Sequence, residues 1–261
     1  MQKESLKTKP ISVVLLGGGN VAIQFAKNLL SHPFAELVQI YARDLSQLEV
    51  LKDETKKTDS LDDLVSADIY IFAISDKSIN EVSSHPFFQD KFVVHTSGAT
   101  AVRELVPHKN GVLYPPFSLS KELDVRFKDQ DFFIESQSAE QLELLQNIVE
   151  GFGAKTHLVN SEQRLSFHTA AVFVNNFTNH LYALGMDLAK SADIPSEFME
   201  DLLLKGVQKS LLIGADKAQT GPAIRGDSQT MKLHLANLDE NKKNIYKILS
   251  ESIQKRYDKK L

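Results

Sequence analysis

The sequence predicts an α/β fold, a doubly wound and mostly parallel sheet over residues 1–160, followed by an all-helical domain over residues 161–261. Three observations carry this. Up to about residue 160, short apolar runs alternate with helical patterns, and several of the runs are apolar almost continuously, as in strands covered on both faces. The first run breaks into Gly17-Gly18-Gly19 with a helical pattern directly behind it. After Ser161 the strand signals stop, and from there to Ser191 the chain has no proline and one glycine, Gly185.

In chain order, Ile11-Ser-Val-Val-Leu-Leu reads as the first strand, and Val21, Phe25 and Leu29 as the inner stripe of the first helix. The spacing Gly17-x-Gly19-x-x-Ala22 fits the dinucleotide fingerprint of a Rossmann-type unit. There the first glycine makes the turn, the second admits a pyrophosphate to the backbone, and the small third residue lets helix and strand pack closely. Gly17, Gly19, Asn20 and Val21 are therefore candidate cofactor residues, acting through unpaired N–H groups at a helix N-terminus whose dipole favours negative charge. A second strand, 37–41, ends in Ala42-Arg43-Asp44. An acid about 20 positions beyond the glycines marks NAD, whereas an arginine nearby accommodates a 2′-phosphate. Arg43 is the first charged group met, so the expected cofactor is NADP rather than NAD. The alternative leaves Arg43 as a surface residue and gives Asp44 the ribose or the cap of the next helix.

Residues 46–57 read as a polar helix and 60–64 as a short capped one. The run 68–74 is a buried strand, and ligands of open α/β sheets lie outside the carboxyl ends of the strands. That makes Ala73, Ile74 and Ser75 cofactor candidates and leaves Asp76 as the N-cap of the following helix. Another buried strand, 91–98, places Thr96 and Ser97 where a nicotinamide or a substrate would be held; His95 is either functional there or a hydrogen-bonded structural residue. Gly111 to Tyr114 leads into Pro115-Pro116-Phe117-Ser118, a rigid aromatic loop suited to walling a site, or simply an extended connection. A strand over 131–135, an amphipathic helix over 138–150 stopped by Gly151-Phe-Gly153, and a strand over 154–159 complete the first domain.

Residues 161–191 predict one helix of roughly 45 Å. Its stretch Ala170-Ala-Val-Phe-Val174 is apolar all round and so needs partners on every side. Pro195-Ser196 opens a helix to about Lys217, along which Gly206, Ser210 and Gly214 recur every fourth residue, a stripe suited to close helix approach. Asp227, at the end of a Gly/Pro turn from Thr220, caps a further helix, and a final helix follows.

With 42% hydrophobic and 25% charged residues, the chain has the balance of a soluble globular protein, and a net charge of -4 gives no hint of a nucleic-acid partner. No stretch is long enough to span a membrane, and residues 1–10 lack the apolar run of a signal peptide, so a cytoplasmic protein is expected. The absence of cysteine excludes disulfides, thiolate metal sites and cysteine nucleophiles. No grouping of histidines and carboxylates has metal-ligand spacing.

A cofactor domain followed by a helical domain with a long central helix resembles, over the whole chain in layout, the NADP-linked reductases of the 6-phosphogluconate dehydrogenase-like superfamily, which includes pyrroline-5-carboxylate and ketopantoate reductases. The resemblance rests on Gly17-x-Gly19-x-x-Ala22, Arg43, Ala73-Ile74-Ser75-Asp76 and His95-Thr96-Ser97-Gly98. Tyr114-Pro115, Phe167-His168-Thr-Ala-Ala and Thr220-Gly-Pro-x-x-Arg225-Gly-Asp227 are most similar to a subgroup of NADP oxidoreductases whose C-terminal helical domain has no known function. It implies a homodimer held through the helical domain and an active site between the cofactor domain and the helical one. Several dehydrogenases of the superfamily place a lysine and an asparagine one turn apart on the long helix, the lysine moving the proton. This sequence departs from that pattern, with His168, Asn175, Asn176, Asn179 and His180 but no lysine before Lys190. A histidine, whose ordinary pKa lies near physiological pH, is suited to give the proton of a carbonyl reduction. Asn175 and Asn176 are suited to orient a substrate, and Arg225 to clamp its carboxylate or phosphate. The competing reading makes these groups hydrogen-bonding partners in a helix interface, and the Arg225 segment a linking turn. The expected activity is hydride transfer between NADP and a small carbonyl, imine or hydroxy-acid substrate. Its rival is an NADP-binding sensor without turnover, motivated by the missing lysine.

Overall fold

The computed structural model describes residues 9–51 and 55–258. Its strands are β1 (Ile11–Leu16), β2 (Ala35–Tyr41), β3 (Lys56–Thr58), β4 (Ile69–Phe72), β5 (Val93–His95), β6 (Asn110–Tyr114), β7 (Asp131–Ser136) and β8 (Lys155–Leu158). Among the described residues they form one sheet in the order β3-β2-β1-β4-β5-β6-β7-β8. Every neighbouring pair is parallel except β6 and β7, so the doubly wound, mostly parallel expectation holds. Its first six positions follow the order of a dinucleotide-binding sheet.

β1 explains why continuous apolarity means two covered faces. Successive side chains leave a strand on opposite sides. Val13 and Leu15 join one cluster with Ile23, Phe25 and Leu29 of α1 (Asn20–Leu29) and Leu145, Ile148 and Val149 of α3 (Ala139–Gly151). Val14 and Leu16 join another with Tyr70, Phe72, Phe88 and Ile79 of α2 (Asp76–Ser83). Phe117 packs edge-on against Phe127 and Phe132, with ring centroids 5.8 and 5.5 Å apart. The loop after Tyr114 is thus drawn into the core instead of standing as an aromatic wall.

Two amides on α1 latch the segment before β7. Gln24 donates to the Ser120 and Leu123 carbonyls and accepts from Val125 N at 3.1 Å. Asn28 donates to the Val125 carbonyl at 2.9 Å and accepts from Phe127 N at 3.0 Å. Gln24 is fully buried, which a polar amide tolerates only when its hydrogen bonds are made.

Several expected elements differ. The helix over 46–57 is instead a 3-10 turn, Leu45–Leu48, capped by Asp44 accepting from Ser46 N at 3.0 Å, and then the short β3; residues 52–54 lie outside the described ones. Residues 1–8, where most of the leader reading falls, also lie outside them. Asp76 is the first residue of α2 rather than its cap, and Ser75 holds the N-cap position.

The chain divides into two compact units, Met1–Ala171 and Val172–Leu261. The division falls eleven residues beyond the expected 160/161 boundary, because α4 (Ser161–Ala171) is fastened to the sheet by its buried Arg164. The second unit is helical: a π-helical segment, Val172–Phe177, then α5 (Thr178–Ser191), α6 (Ser196–Ile213), α7 (Ala215–Ala218), α8 (Ser228–Ala236) and α9 (Glu240–Tyr257). The single helix expected over 161–191 is therefore interrupted in geometry by the π-segment. Its apolar stretch is not buried, with Phe173 66% and Val174 75% exposed. Nor does the small-residue stripe mark a seam between described helices of the same chain. A Cβ added at Gly206 meets nothing within 4 Å, and Gly214 turns the chain with a φ of +85° where α6 ends. Asp227 does cap α8, accepting from Thr230 N at 3.0 Å. No described helix is long and apolar enough to cross a membrane.

Candidate cofactor cleft and active site

The turn between β1 and α1 is built against its neighbours. Gly17 N donates to the Tyr41 carbonyl of β2 and Ala73 N to the Leu16 carbonyl, both at 2.8 Å, which ties three strand ends together. A Cβ at Gly17 would overlap the Ala73 carbonyl oxygen, with the carbonyl carbon 2.8 Å away, and φ is +137°. Gly17 is therefore demanded by the fold. Gly19 is not. Its φ of -82° suits any residue, and a Cβ there would meet nothing within 4 Å. That open space lies at the N-cap of α1, whose first turn holds no acidic residue and no capping side chain. The first-turn N–H groups are thus available to an anion.

This space belongs to a cleft of about 730 Å³ along the carboxyl ends of β2, β1 and β4. Gly17, Gly19, Asn20, Val21, Arg43, Ala73, Ile74 and Ser75 line it, as their sequence positions imply. Arg43 is exposed at its edge, while Asp44 is occupied as a cap. Gln47, Ser78, Glu81 and His85 also line the cleft and carry no sequence signal. Gln47 sits in the 3-10 turn that replaces the expected helix, and its side chain packs over Gly18. His85 reaches the cleft beyond α2 and pairs with Asp62 at 3.4 Å.

Thr96 and Ser97 do not line the cleft. Thr96 is held by Phe72, its N–H donating to that carbonyl at 3.1 Å. Ser97 Oγ accepts from Ala99 N at 3.1 Å and Thr100 N at 2.9 Å. Both side chains are buried and shape the loop, a use of short hydroxyls common at turns. His95 is buried too. It accepts from Ser97 N at 3.2 Å, and its Nε2 has no partner among the described residues. Burial, and then the charge of Arg164, push its pKa down to about 3 against a weaker opposing pull from the Ala101 backbone.

The sign of that shift makes a prediction. Neutral His95 is favoured in the folded state, so its contribution is complete above the ordinary value of 6.5 and is lost as pH falls toward 3. Urea titrations should show unfolding free energy falling by up to ~1.4 kcal/mol per pH unit more steeply than in His95→Gln. Parallel slopes for the two proteins would contradict it.

Of the expected catalytic set, His168 stands on α4 in the first unit, its Nδ1 3.2 Å from Tyr114 Oη. Asn175 and Asn176, exposed in the π-segment, and Arg225, exposed before Asp227, belong to the second, so neither unit alone assembles all four. The residue that sequence reasoning missed is Arg164, one helical turn before His168 and fully buried. Its Nε donates to the Ser97 carbonyl at 3.1 Å, and its guanidinium also binds the Thr100 carbonyl and the Glu135 carboxylate. The signal available was an arginine four residues from a histidine, which places both on one helix face. No cluster of metal-binding side chains occurs among the described residues.

A family model described as a domain of unknown function, DUF2520, matches residues 131–253. No curated protein matches the sequence. Among solved structures, the "putative NADP oxidoreductase BF3122 from Bacteroides fragilis" is 33% identical, with 94% of this chain and 98% of that one covered and a TM-score of 0.84. Protein TM1727 from Thermotoga maritima is 20% identical over 93% of this chain and 99% of its own, with a TM-score of 0.69. An imine reductase from a Pseudomonas species is 15% identical over 95% of each chain, with a TM-score of 0.63. These last two share the fold. Because a third of its residues are identical over nearly the full length of both chains, the protein belongs to the same family as the Bacteroides protein, oxidoreductases in which a Rossmann-type nicotinamide-nucleotide domain precedes a helical domain.

Proposed function

We propose that the protein is an NADP-dependent oxidoreductase moving hydride between nicotinamide and a small carbonyl, imine or hydroxy-acid substrate. The observation that carries the reading is a cleft with unfilled space at Gly19 and an uncapped helix N-terminus at one point, and an exposed guanidinium, Arg43, at its edge. The first-turn N–H groups of α1 would hold the diphosphate, and Arg43 a 2′-phosphate. A bound nicotinamide supplies or takes the hydride. His168 handles the proton, and Asn175, Asn176 and Arg225 serve the substrate. A homodimer through the helical unit fits the exposure of its apolar side chains, with Phe198 and Leu202 each 65% exposed and Leu211 and Leu212 83% and 84%. Patches of that kind mark interaction surfaces.

Calorimetry is expected to show NADPH binding more tightly than NADH, with Arg43→Ala weakening NADPH tenfold or more and NADH little. Charge-assisted hydrogen bonds are worth about 1.5–3 kcal/mol. Sedimentation of the same samples is expected to give a dimer. Binding of neither nucleotide at millimolar concentration would end the oxidoreductase reading. Tight binding without NADPH oxidation across a panel of small carbonyls and imines would favour the sensor.

A further inference from the structure

His168 and Tyr114 meet in a place made for them. Their rings lie edge to face with centroids 6.1 Å apart, and Nδ1 stands 3.2 Å from Oη. The gap exists because residue 98 is glycine. A Cβ there would stand 2.5 Å from His168 Nδ1, 2.6 Å from its Cγ and 3.0 Å from Tyr114 Cε2. One turn earlier on α4, Arg164 is bonded to the Ser97 and Thr100 carbonyls, which flank Gly98 on both sides. Glu135 takes the same guanidinium and accepts from Ser161 N at 3.1 Å. The helix carrying His168 is thus keyed to the loop below its ring.

Tyr114 ends β6, four strand positions from β2 and its Arg43 edge, roughly 19 Å at the usual spacing. The pair therefore sits farther along the row of carboxyl ends from which the cleft begins. Tyr114 is buried, and burial raises its phenol above the ordinary range, so Oη stays a neutral hydroxyl with lone pairs to accept on. His168 is partly exposed, and its Nε2 has no partner among the described residues.

We propose that Tyr114 is a positioning residue whose Oη accepts the Nδ1–H of His168, leaving Nε2 as the one nitrogen that gains and loses the proton of the reaction. The chemical consequence rests on the hydride-transfer reading; the hydrogen bond does not. When a substrate carbonyl carbon accepts hydride, the C=O π pair moves to oxygen, which takes the proton from Nε2 of the imidazolium. A neutral ring remains, with Nδ1–H still on Tyr114. In the reverse direction Nε2 takes the hydroxyl proton as the carbon gives up hydride. Proton and electron pair balance both ways, and neither direction passes through an imidazolate. A ring fixed by its second nitrogen is the usual way a histidine is held for acid–base work.

Long-range 1H–15N spectra of histidine-labelled protein test this, with the 8 histidines of the chain sorted by the loss of one set in His168→Gln. Neutral His168 is expected to carry its proton on Nδ1. In Tyr114→Phe the proton moves to Nε2, the tautomer that free imidazole side chains favour. A wild-type ring protonated on Nε2, which makes Tyr114 the donor, overturns the proposal, as does a Tyr114→Phe spectrum with the tautomer unchanged. The wild-type spectrum decides by itself should that variant not fold. Saturating NADP+ is expected to shift the Nε2 resonance. An Nδ1–H ring untouched by NADP+ that calorimetry shows to be bound sinks the hydride-transfer reading and leaves the Tyr114 contact standing.

Discussion

Gly17→Ala and Gly19→Ala are expected to fail in opposite ways, though only one residue separates them. At Gly17 the new methyl would press into the Ala73 carbonyl, a backbone group that cannot swing aside, at a φ of +137° that L-residues rarely adopt. Strain and overpacking of that kind each cost ~1–3 kcal/mol, so the first unit should lose about 3 kcal/mol or more of unfolding free energy and its nucleotide binding with it. At Gly19 the methyl meets no protein atom and an ordinary φ. Its melting temperature should stay within a degree or two of the wild type, while NADPH affinity falls at least tenfold, because the methyl occupies space the diphosphate needs. Melting curves and calorimetry on the two variants check both halves. A Gly19→Ala protein that binds NADPH like the wild type would remove the diphosphate from this turn.

Arg164→Met is expected to cost about 3–5 kcal/mol, the range for removing one partner of a buried ion pair. The side chain of Arg164 is 1% exposed and that of Glu135 18%, so the carboxylate left behind is poorly hydrated, although Ser161 still donates to it. The carbonyls of Ser97 and Thr100 lose their donor at the same time. Arg164→Met/Glu135→Leu should recover much of the loss, since no unpaired charge remains. Urea unfolding of the single and double variants measures this; a single variant within 1 kcal/mol of the wild type would show that Arg164 does not fasten α4.

How much of this was legible follows from what a pattern encodes. The strand, glycine turn and helix at Ile11 to Leu29 are local, and composition and spacing declared them. The reversal of β7 was not legible, because an apolar run looks the same read in either direction across a sheet. Thr96 and Ser97 were placed at the right strand end, but which way their hydroxyls would turn depended on neighbours at 72, 99 and 100. Arg164 stayed hidden because a lone arginine in a polar stretch reads as solvated, and Ser97, Thr100 and Glu135, which it binds, lie 29 to 67 residues away. The π-segment at Val172–Phe177 contains no proline or glycine to announce a change of helical geometry.

The latch formed by Gln24 and Asn28 grips only main-chain groups of residues 120–127, while Lys121, Glu122, Leu123 and Asp124 all face outward. A grip on peptide units is blind to side-chain identity. Sequence drift, or deliberate grafting of a tag or a charged patch, is therefore tolerable at residues 121–123 while their path stays pinned to α1, but not at Asp124, which pairs with Lys27, or at Phe127, which is buried in the core. Gln24 and Asn28 themselves have no such latitude.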